Sequence, residues 1–363
     1  MSAGPTFDAL SLDDVASLPD TDPRVTTISV VIPVGPEAPG LRSCLESLLE
    51  VMPAPLEIVV VLDGSSEANA ATVRDAGLDP VTLERSLGPA GARNAGARRA
   101  RGDLLFFLDA DVTVPPDIVS GVLRVFEDDR GLTALIGSYD DQPGDPAFLS
   151  QYRNLLHHFV HQNSPPEGFT FWGACGVIRR EAFLEAGGFD ETYVRPSVED
   201  IELGYRLRRA GHRIRLVHGL QVKHWKRWGS LDLLRTDVAC RGVPWTRLIL
   251  RHRRLDAGLN LAPGHRLSAA LGFGLVLAVA LSFTAPAASL WAAGVMAVAL
   301  TGLNVPFYRF LKERRGPSFA LRAIPLHWVF HACAGVAAVA GILSHVLPGV
   351  RVLSAPASVV DYS

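Results

Sequence analysis

The sequence predicts an α/β domain on a mostly parallel central sheet, followed by helices that cross a membrane. Three observations predict it. Apolar strands alternate with helical segments from Ile28 to Leu108, the order that lays strands side by side in parallel. The strands are continuous runs of Val, Ile, Leu and Phe without polar alternation, as expected of strands covered on both faces. Leu267 to Tyr308 then contains no Asp, Glu, Lys, Arg or His, whereas one bilayer crossing takes roughly 20 apolar residues.

In order, Ile28-Ser29-Val30-Val31-Ile32 reads as the first strand, closed by Pro33, and Leu41 to Val51 as a helix with Leu41, Leu45, Leu48 and Leu49 on one face. Glu57 to Leu62 is a second strand, Val81-Thr82-Leu83 a short third, Gly91 to Arg101 a helix, and Leu104 to Leu108 a fourth strand. Beyond Ala134 the pattern is mixed, with a helix from Phe148 to Val160, a glycine loop at Gly173 to Gly176 and a polar helix from Glu199 to Ala210. Ligands in parallel sheets gather at the carboxyl ends of the strands. Glu37, Asp63 and Asp109 all follow strand ends.

A chain of 363 residues, 48% hydrophobic, is long enough for one large or two ordinary domains. The apolar remainder divides into spans at about 267–285, 287–307 and 324–346, with Pro286 in the first hairpin turn and His327, His331 and His345 as the ionisable groups of the third. Arg247, Arg251, Arg253, Arg254 and Arg266 precede the first span, and Arg309, Lys312, Arg314, Arg315 and Arg322 lie between the second and third. Both clusters are expected to face the cytoplasm, giving a multi-pass protein of the cytoplasmic membrane with its α/β body, 27–230, inside. The stretch 231–266 reads either as an interfacial segment on the inner leaflet or as a packed amphipathic helix. Residues 1–26 have no basic n-region with an apolar core, so they are expected to be a disordered leader and not a cleaved signal; 348–363 form a tail. Cys44, Cys175, Cys240 and Cys333 are too scattered for a zinc site or a disulfide framework. The net charge of −2 gives no ground for a nucleic-acid partner.

The chemistry concentrates at the end of the fourth strand, where Leu108 gives way to Asp109-Ala110-Asp111. Two carboxylates one residue apart suit Mg²⁺ or Mn²⁺ carrying a diphosphate, although the same acids could open a solvated turn before Pro115-Pro116. Asp63, in Asp63-Gly64-Ser65, can accept hydrogen bonds from a base or ribose, or simply form a turn. In Gly88-Pro89-Ala90-Gly91-Ala92-Arg93-Asn94-Ala95-Gly96 the small residues allow close helix packing, and Arg93 could meet a phosphate. Glu199 and Asp200 open a helix, where a carboxylate can serve as general base or merely favour the helix dipole. His224-Trp225-Lys226-Arg227-Trp228 offers a metal-ligating imidazole and cations for a diphosphate, or equally a membrane-interface belt. Trp172, beside Gly173, could stack on an acceptor sugar or belong to the core. His157 and His161 are assigned a structural role.

Taken in order, Val31-Ile32-Pro33 with Glu37, Leu62-Asp63-Gly64-Ser65, Gly91-Ala92-Arg93-Asn94-Ala95-Gly96, Asp109-Ala110-Asp111, Gly188-Phe189-Asp190-Glu191, Glu199-Asp200 and His224 to Trp228 resemble family 2 glycosyltransferases over about Ile28 to Trp228. The resemblance implies a Rossmann-like GT-A fold, a nucleotide-sugar donor, UDP-linked by preference, and inversion at the anomeric carbon. It implies that Pro33, Glu37 and Asp63 border the nucleoside, that Arg93 meets the donor phosphates, and that Asp111 and His224 bind the metal with Asp109 on ribose or metal. Asp200 would be the base with Glu199 beside it, Arg227 and Trp228 would lie on the donor, and Trp172 and Gly173 on the acceptor. His224 stands where processive members carry Gln, Gly35-Pro36 replaces the usual Tyr-Asn, and a single Asp63 replaces a double Asp. Membrane attachment implies a lipid-linked or envelope glycan acceptor. The rivals are a catalytically silent nucleotide-sugar-binding scaffold and a polyprenyl-phosphate glycosyltransferase. No Gly-x-x-x-x-Gly-Lys-Ser/Thr or Gly-x-Gly-x-x-Gly follows a strand, which argues against a P-loop kinase or a dehydrogenase.

Overall fold

The computed structural model describes residues 26–347 apart from 254, 256 and 257. The expectations for the leader up to residue 25, for the 348–363 tail and for Arg254 lie outside the described residues. Among the described residues the strands are β1 (Ile28–Val34), β2 (Glu57–Leu62), β3 (Val81–Thr82), β4 (Leu104–Leu108), β5 (Val112–Thr113), β6 (Ala134–Tyr139), β7 (Glu167–Gly168), β8 (Cys175–Arg179) and β9 (Ile214–His224). Their order is β3-β2-β1-β4-β8-β6-β9-β5, with β7 beside β9. As the continuous apolar runs require, β1 pairs in parallel with β2 and β4, and β2 with β3. Past β4 the sheet is mixed: β8 runs antiparallel to both β4 and β6, while β6 and β9 are parallel.

Pro33 does not close β1, contrary to the sequence reading. The Val34 carbonyl still accepts from Asp63 N–H on the β2 side, whereas the missing N–H of Pro33 falls on the β4 side, where pairing stops at Val31 opposite Phe107. Proline is tolerated because no ladder bond is needed there.

The first helices are α1 (Leu41–Leu49), α2 (Glu67–Asp75), α3 (Gly88–Arg99), α4 (Ile118–Asp128), α5 (Phe148–Gln162), α6 (Arg180–Glu185) and α7 (Glu199–Arg209). α3 begins three residues before its expected start. It lies so close to β1 and β2 that a Cβ on Gly96 would collide with Val31 and press on Val61, which explains its run of glycine and alanine. Beneath the site, Phe107 of β4 meets Phe171, Phe183 and Phe189 at centroid distances of 6.1, 5.2 and 5.2 Å, the offset contacts that aromatic rings favour.

The C-terminal part comprises α8 (Ser230–Arg235), a π-helical turn (Thr236–Gly242), α9 (Val243–His252), α10 (Pro263–Leu281), α11 (Pro286–Leu303), α12 (Val305–Arg315) and α13 (Pro317–Val346). Among the described residues α10, α11 and α13 are long and apolar enough to cross a membrane. Their limits differ from those expected. Pro286 opens α11 instead of sitting in the turn, because proline at the first helical position lacks only an N–H that would be unpaired anyway. α11 ends at Leu303, where the Asn304 amide turns back to the Leu300 carbonyl and reaches Ser268 Oγ at 3.1 Å. α13 starts seven residues early and contains Pro325. The 231–252 stretch is packed: Leu248 of α9 joins Val198 and Tyr205, and Val243 meets Ala337 and Ala340 of α13. Tyr152, Leu155 and Leu156 of α5 pack on Phe307, Leu311 and Ala323, so the α/β domain rests directly on the C-terminal helices.

Candidate active site

Backbone geometry brings the acids together at the carboxyl end of the sheet. Asp109 follows β4 immediately, and Asp111 sits where β5 pairs with the end of β9, Val112 lying opposite His224. Trp225 N–H donates to the Asp111 carbonyl at 2.9 Å, and its indole N–H to Thr113 Oγ1 at 3.1 Å. These bonds fix His224 beside the acid, with Nε2 3.5 Å from Asp111 Oδ2. Burial opposes ionisation of Asp111, but His224 and then Lys226 outweigh it and hold the carboxyl below its usual range. On the other side, the loop between β1 and α1 presses in: a Cβ on Gly40 would stand 2.8 Å from Asp111 Cα. Pro33 is half-buried near the end of β1, and Glu37, in that loop, is exposed.

Arg93 binds two acids that lie far apart in sequence. Its Nη2 donates to Asp109 Oδ1 at 2.7 Å and its Nη1 to Glu199 Oε1 at 3.0 Å. Burial opposes the charge on Arg93, yet Asp109, Glu199 and Asp200 together raise its pKa. The expected contact with donor phosphates is not the arrangement found, because the side chain is 7% exposed and both terminal nitrogens are engaged below the site. Glu199 is likewise internal, its second oxygen accepting from Ser197 N–H at 2.8 Å.

Asp200 is half-buried and turned differently. Oδ2 accepts from Gly173 N–H at 3.2 Å and Oδ1 from Ile201 N–H at 2.8 Å. Burial, and next the Glu199 charge, lift its pKa to about 6, with Arg93 pulling the other way. Gly173 is needed here: a Cβ would stand 2.9 Å from Arg93 Cζ.

Other expected site residues take supporting positions. Asp63 accepts from Leu87 N–H at 2.6 Å, Gly88 N–H at 2.8 Å and Ser86 Oγ at 3.1 Å, so in the free protein its carboxylate pins the loop leading into α3. Trp228 is buried rather than presented to a donor: its N–H donates to Ser150 Oγ at 2.9 Å, and Arg153 and Lys226 lie 5.6 and 4.7 Å from its ring centre. Arg227 is exposed beside it. Trp172, 8% exposed, is enclosed by Tyr139, His157 and His161 at centroid distances of 4.8, 4.8 and 5.1 Å. The indole is thus a wall of the site and offers no free face to a sugar.

Two residues here were given no site role by the sequence. Tyr139, at the end of β6, stacks on His224 at 4.2 Å with planes 9° apart. His157 lies 4.8 Å from Tyr139, and burial, then His161, push its pKa well down; its Nδ1 is buried without a partner. His161 keeps the structural role expected of it, with Nδ1 3.0 Å from the Gly137 carbonyl. The i, i+4 spacing of the two histidines was visible, but the strand that brings Tyr139 between His157 and His224 was not.

Among the described residues no group of three or more His, Cys, Asp or Glu is placed to hold a metal ion. The pair Asp111 and His224 nevertheless fits one edge of a coordination shell. At 3.5 Å the two atoms are too far apart for a good hydrogen bond, and two neighbouring donors about 2.1 Å from one cation stand about 3 Å apart. Mg²⁺ or Mn²⁺ commonly takes one or two carboxylates and completes its shell with phosphate oxygens and water, so a two-donor protein site is sufficient.

Residues 29–187 match the family described as Glycosyl transferase family 2. A pre-mycofactocin glycosyltransferase of Mycobacterium tuberculosis is 30% identical over 254 residues, 68% of this chain and 52% of that protein. An undecaprenyl-phosphate 4-deoxy-4-formamido-L-arabinose transferase of Edwardsiella ictaluri is 38% identical over 168 residues, 44% of this chain and 50% of that protein. The chain spans about half the length of the curated relatives it matches. A solved mannosyltransferase from Pyrobaculum calidifontis, in complex with GDP-Man and Mn²⁺, shares the fold with a TM-score of 0.55 at 18% identity, over 91% of this chain and 92% of that one. The strand order, the acids at the strand ends and these matches agree: the α/β domain is a family 2 glycosyltransferase domain of the GT-A fold.

Proposed function

We propose that this protein moves a sugar from a nucleotide-diphosphate sugar, UDP-linked in the first instance, to a hydroxyl of a lipid-linked or envelope glycan acceptor at the cytoplasmic face of a membrane, with inversion. The observation that carries this reading is the Asp109–Arg93–Glu199 bridge ending at Asp200. It ties the acids suited to a diphosphate to a separate carboxylate whose raised pKa of about 6 suits it to accept a proton. Asp111 and His224, with Asp109 beside them, would hold Mg²⁺ or Mn²⁺, which when bound supplies positive charge to the departing diphosphate. Pro33, Glu37 and Asp63 border the nucleoside end, and Arg227 adds an exposed cation. Asp200, held by the Gly173 and Ile201 amides, takes the proton of the acceptor hydroxyl as that oxygen bonds to the anomeric carbon and the bond to the diphosphate breaks. Glu199 and Arg93 position Asp200 and Asp109 without touching substrate.

The test is nucleotide diphosphate release by the detergent-solubilised full chain from UDP-, GDP- and dTDP-sugars, with Mn²⁺ or Mg²⁺ and with EDTA. Release of one nucleotide diphosphate, suppressed by EDTA and by Asp111→Asn, supports the reading; silence throughout, also with lipid extracts added, supports a nucleotide-sugar-binding scaffold.

A second reading has a polyprenyl phosphate as acceptor. The Edwardsiella relative is named for an undecaprenyl phosphate substrate, and such a phosphate, already ionised, needs no base. Under it, Asp200→Asn keeps its activity.

A further inference from the structure

The π-helical turn Thr236–Gly242 runs from a cavity lined by α5, α8 and α13 to the loop that delivers Asp200, and its two ends do different things. Asp237, near its start, forms an ion pair with Arg153 of α5 at 2.6 Å, the two side chains 12% and 10% exposed. That pair stands at a cavity of about 140 Å³ lined by Leu149, Leu233, Leu234, Leu326, Val329 and Phe330. Leu326, Val329 and Phe330 belong to α13, one of the helices able to cross a membrane, and Leu234 and Val329 are exposed at its rim. The cavity therefore meets the surface that α13 presents to lipid.

At the other end, the Cys240 carbonyl accepts from Ser197 Oγ at 2.7 Å, so the turn is bonded to the loop that delivers Glu199 and Asp200. Gly242 abuts Ala337 of α13, where a Cβ would collide. Between these fixed points lies Arg241, exposed and, among the described residues, in no ion pair or hydrogen bond. Its charge is felt by Asp200, Tyr139 and His157, which span the site from the proposed base to the ring stacked on His224. A π-turn is an uncommon distortion often found where a helix serves a function. Here the turn places Asp237 on the cavity and, four residues later, Arg241 next to the Cys240 carbonyl that is bonded to the Asp200 loop.

We infer that Arg241 binds the phosphate or diphosphate of a lipid-linked acceptor whose apolar chain enters the cavity between α5, α8 and α13. An unpaired guanidinium offers the forked donors that a phosphate accepts, and the adjoining apolar walls, open toward a membrane helix, suit an isoprenoid or acyl chain. The phosphate held there places the sugar hydroxyl linked to it on the Asp200 side. The inference rests on the proposed transferase reading and names the acceptor class for the same site.

The test uses the full chain in nanodiscs of uncharged phospholipid, with EDTA and no nucleotide sugar, so that its outcome is independent of donor chemistry. Binding of radiolabelled geranylgeranyl diphosphate is compared with that of geranylgeraniol. The wild type should bind the diphosphate about tenfold or more tightly than the alcohol, as expected for a charge-assisted contact. Arg241→Ala should lose that preference while still binding the alcohol, and Arg241→Lys should restore part of it; Leu233→Trp, which fills the cavity, should weaken both ligands. A wild type without the preference, an Arg241→Ala variant that keeps it, or a Leu233→Trp variant that binds both normally overturns the inference. If inorganic pyrophosphate displaces the diphosphate as well as geranylgeranyl diphosphate itself does, the chain contributes nothing and the inference also fails.

Discussion

Arg93 and Glu199, 106 positions apart, meet at 3.0 Å in the interior of the domain, and the other terminal nitrogen of the same guanidinium holds Asp109 at 2.7 Å. One cation thus sets the spacing between the acids that follow β4 and the acids that open α7. Arg93→Met should leave two carboxylates facing each other without a counter-charge, one of them fully enclosed. Breaking a buried ion pair from one side costs about 3–5 kcal/mol, and the variant should show a large fall in melting temperature in detergent. Glu199→Gln keeps a hydrogen-bond acceptor for Arg93 and should cost much less.

The proposed proton acceptor, Asp200, gives a pH signature. Asp200 works as a base only when ionised, and its pKa is raised to about 6 by burial and by Glu199. The transfer rate should therefore fall tenfold for each pH unit well below about 6 and level off above it. Glu199→Gln removes the like charge and leaves Arg93 less neutralised, so both effects favour ionised Asp200. The acid limb should shift to lower pH in that variant, as a rate profile from pH 4.5 to 8 would show.

The imidazole of His224, the proposed metal ligand, has the Tyr139 ring stacked on it at 4.2 Å. Groups that orient a metal ligand typically change metal affinity about 10–100-fold when removed. Tyr139→Ala should raise the Mn²⁺ concentration for half-maximal nucleotide release about tenfold, whereas Tyr139→Phe, which keeps the ring, should stay near the wild type. His224→Ala should raise it further than Tyr139→Ala does.

The close seat of α3 on the sheet is tested by Gly96→Ala. The added methyl meets Val31 and Val61, and overpacking of this kind costs about 1–3 kcal/mol. A melting temperature equal to that of the wild type would show that the helix can shift at no cost.

The parts legible in the sequence are those governed by local pattern. The apolar runs Ile28 to Val34, Glu57 to Leu62 and Leu104 to Leu108 declare buried strands, and Asp109 and Asp111 stand out because they follow one directly. The charge-free Leu267 to Tyr308 declares membrane-spanning length. What was not legible depends on contacts between distant segments. The reversal of β8 leaves no local mark, since Cys175 to Arg179 reads equally well in either direction. Arg93 looked like a phosphate ligand because its helix start is glycine-rich; only the arrival of Glu199 from the second half of the domain shows that it is enclosed. Tyr139 reaches His224 through β6, and that placement has no periodicity to betray it.

The most direct test of the central claim is sugar transfer by Asp200→Asn, measured with the donor found in the nucleotide-release panel and with membrane lipid extract as acceptor. Aspartate and asparagine have the same shape, so the amide oxygen can keep one of the two contacts, to the Gly173 or the Ile201 N–H, while proton acceptance is lost. The account predicts a fall in transfer of about 10²–10⁴-fold, the usual contribution of a general base, with Mn²⁺-dependent donor binding retained. Transfer at the wild-type rate by the folded variant would contradict it and remove Asp200 from the chemistry.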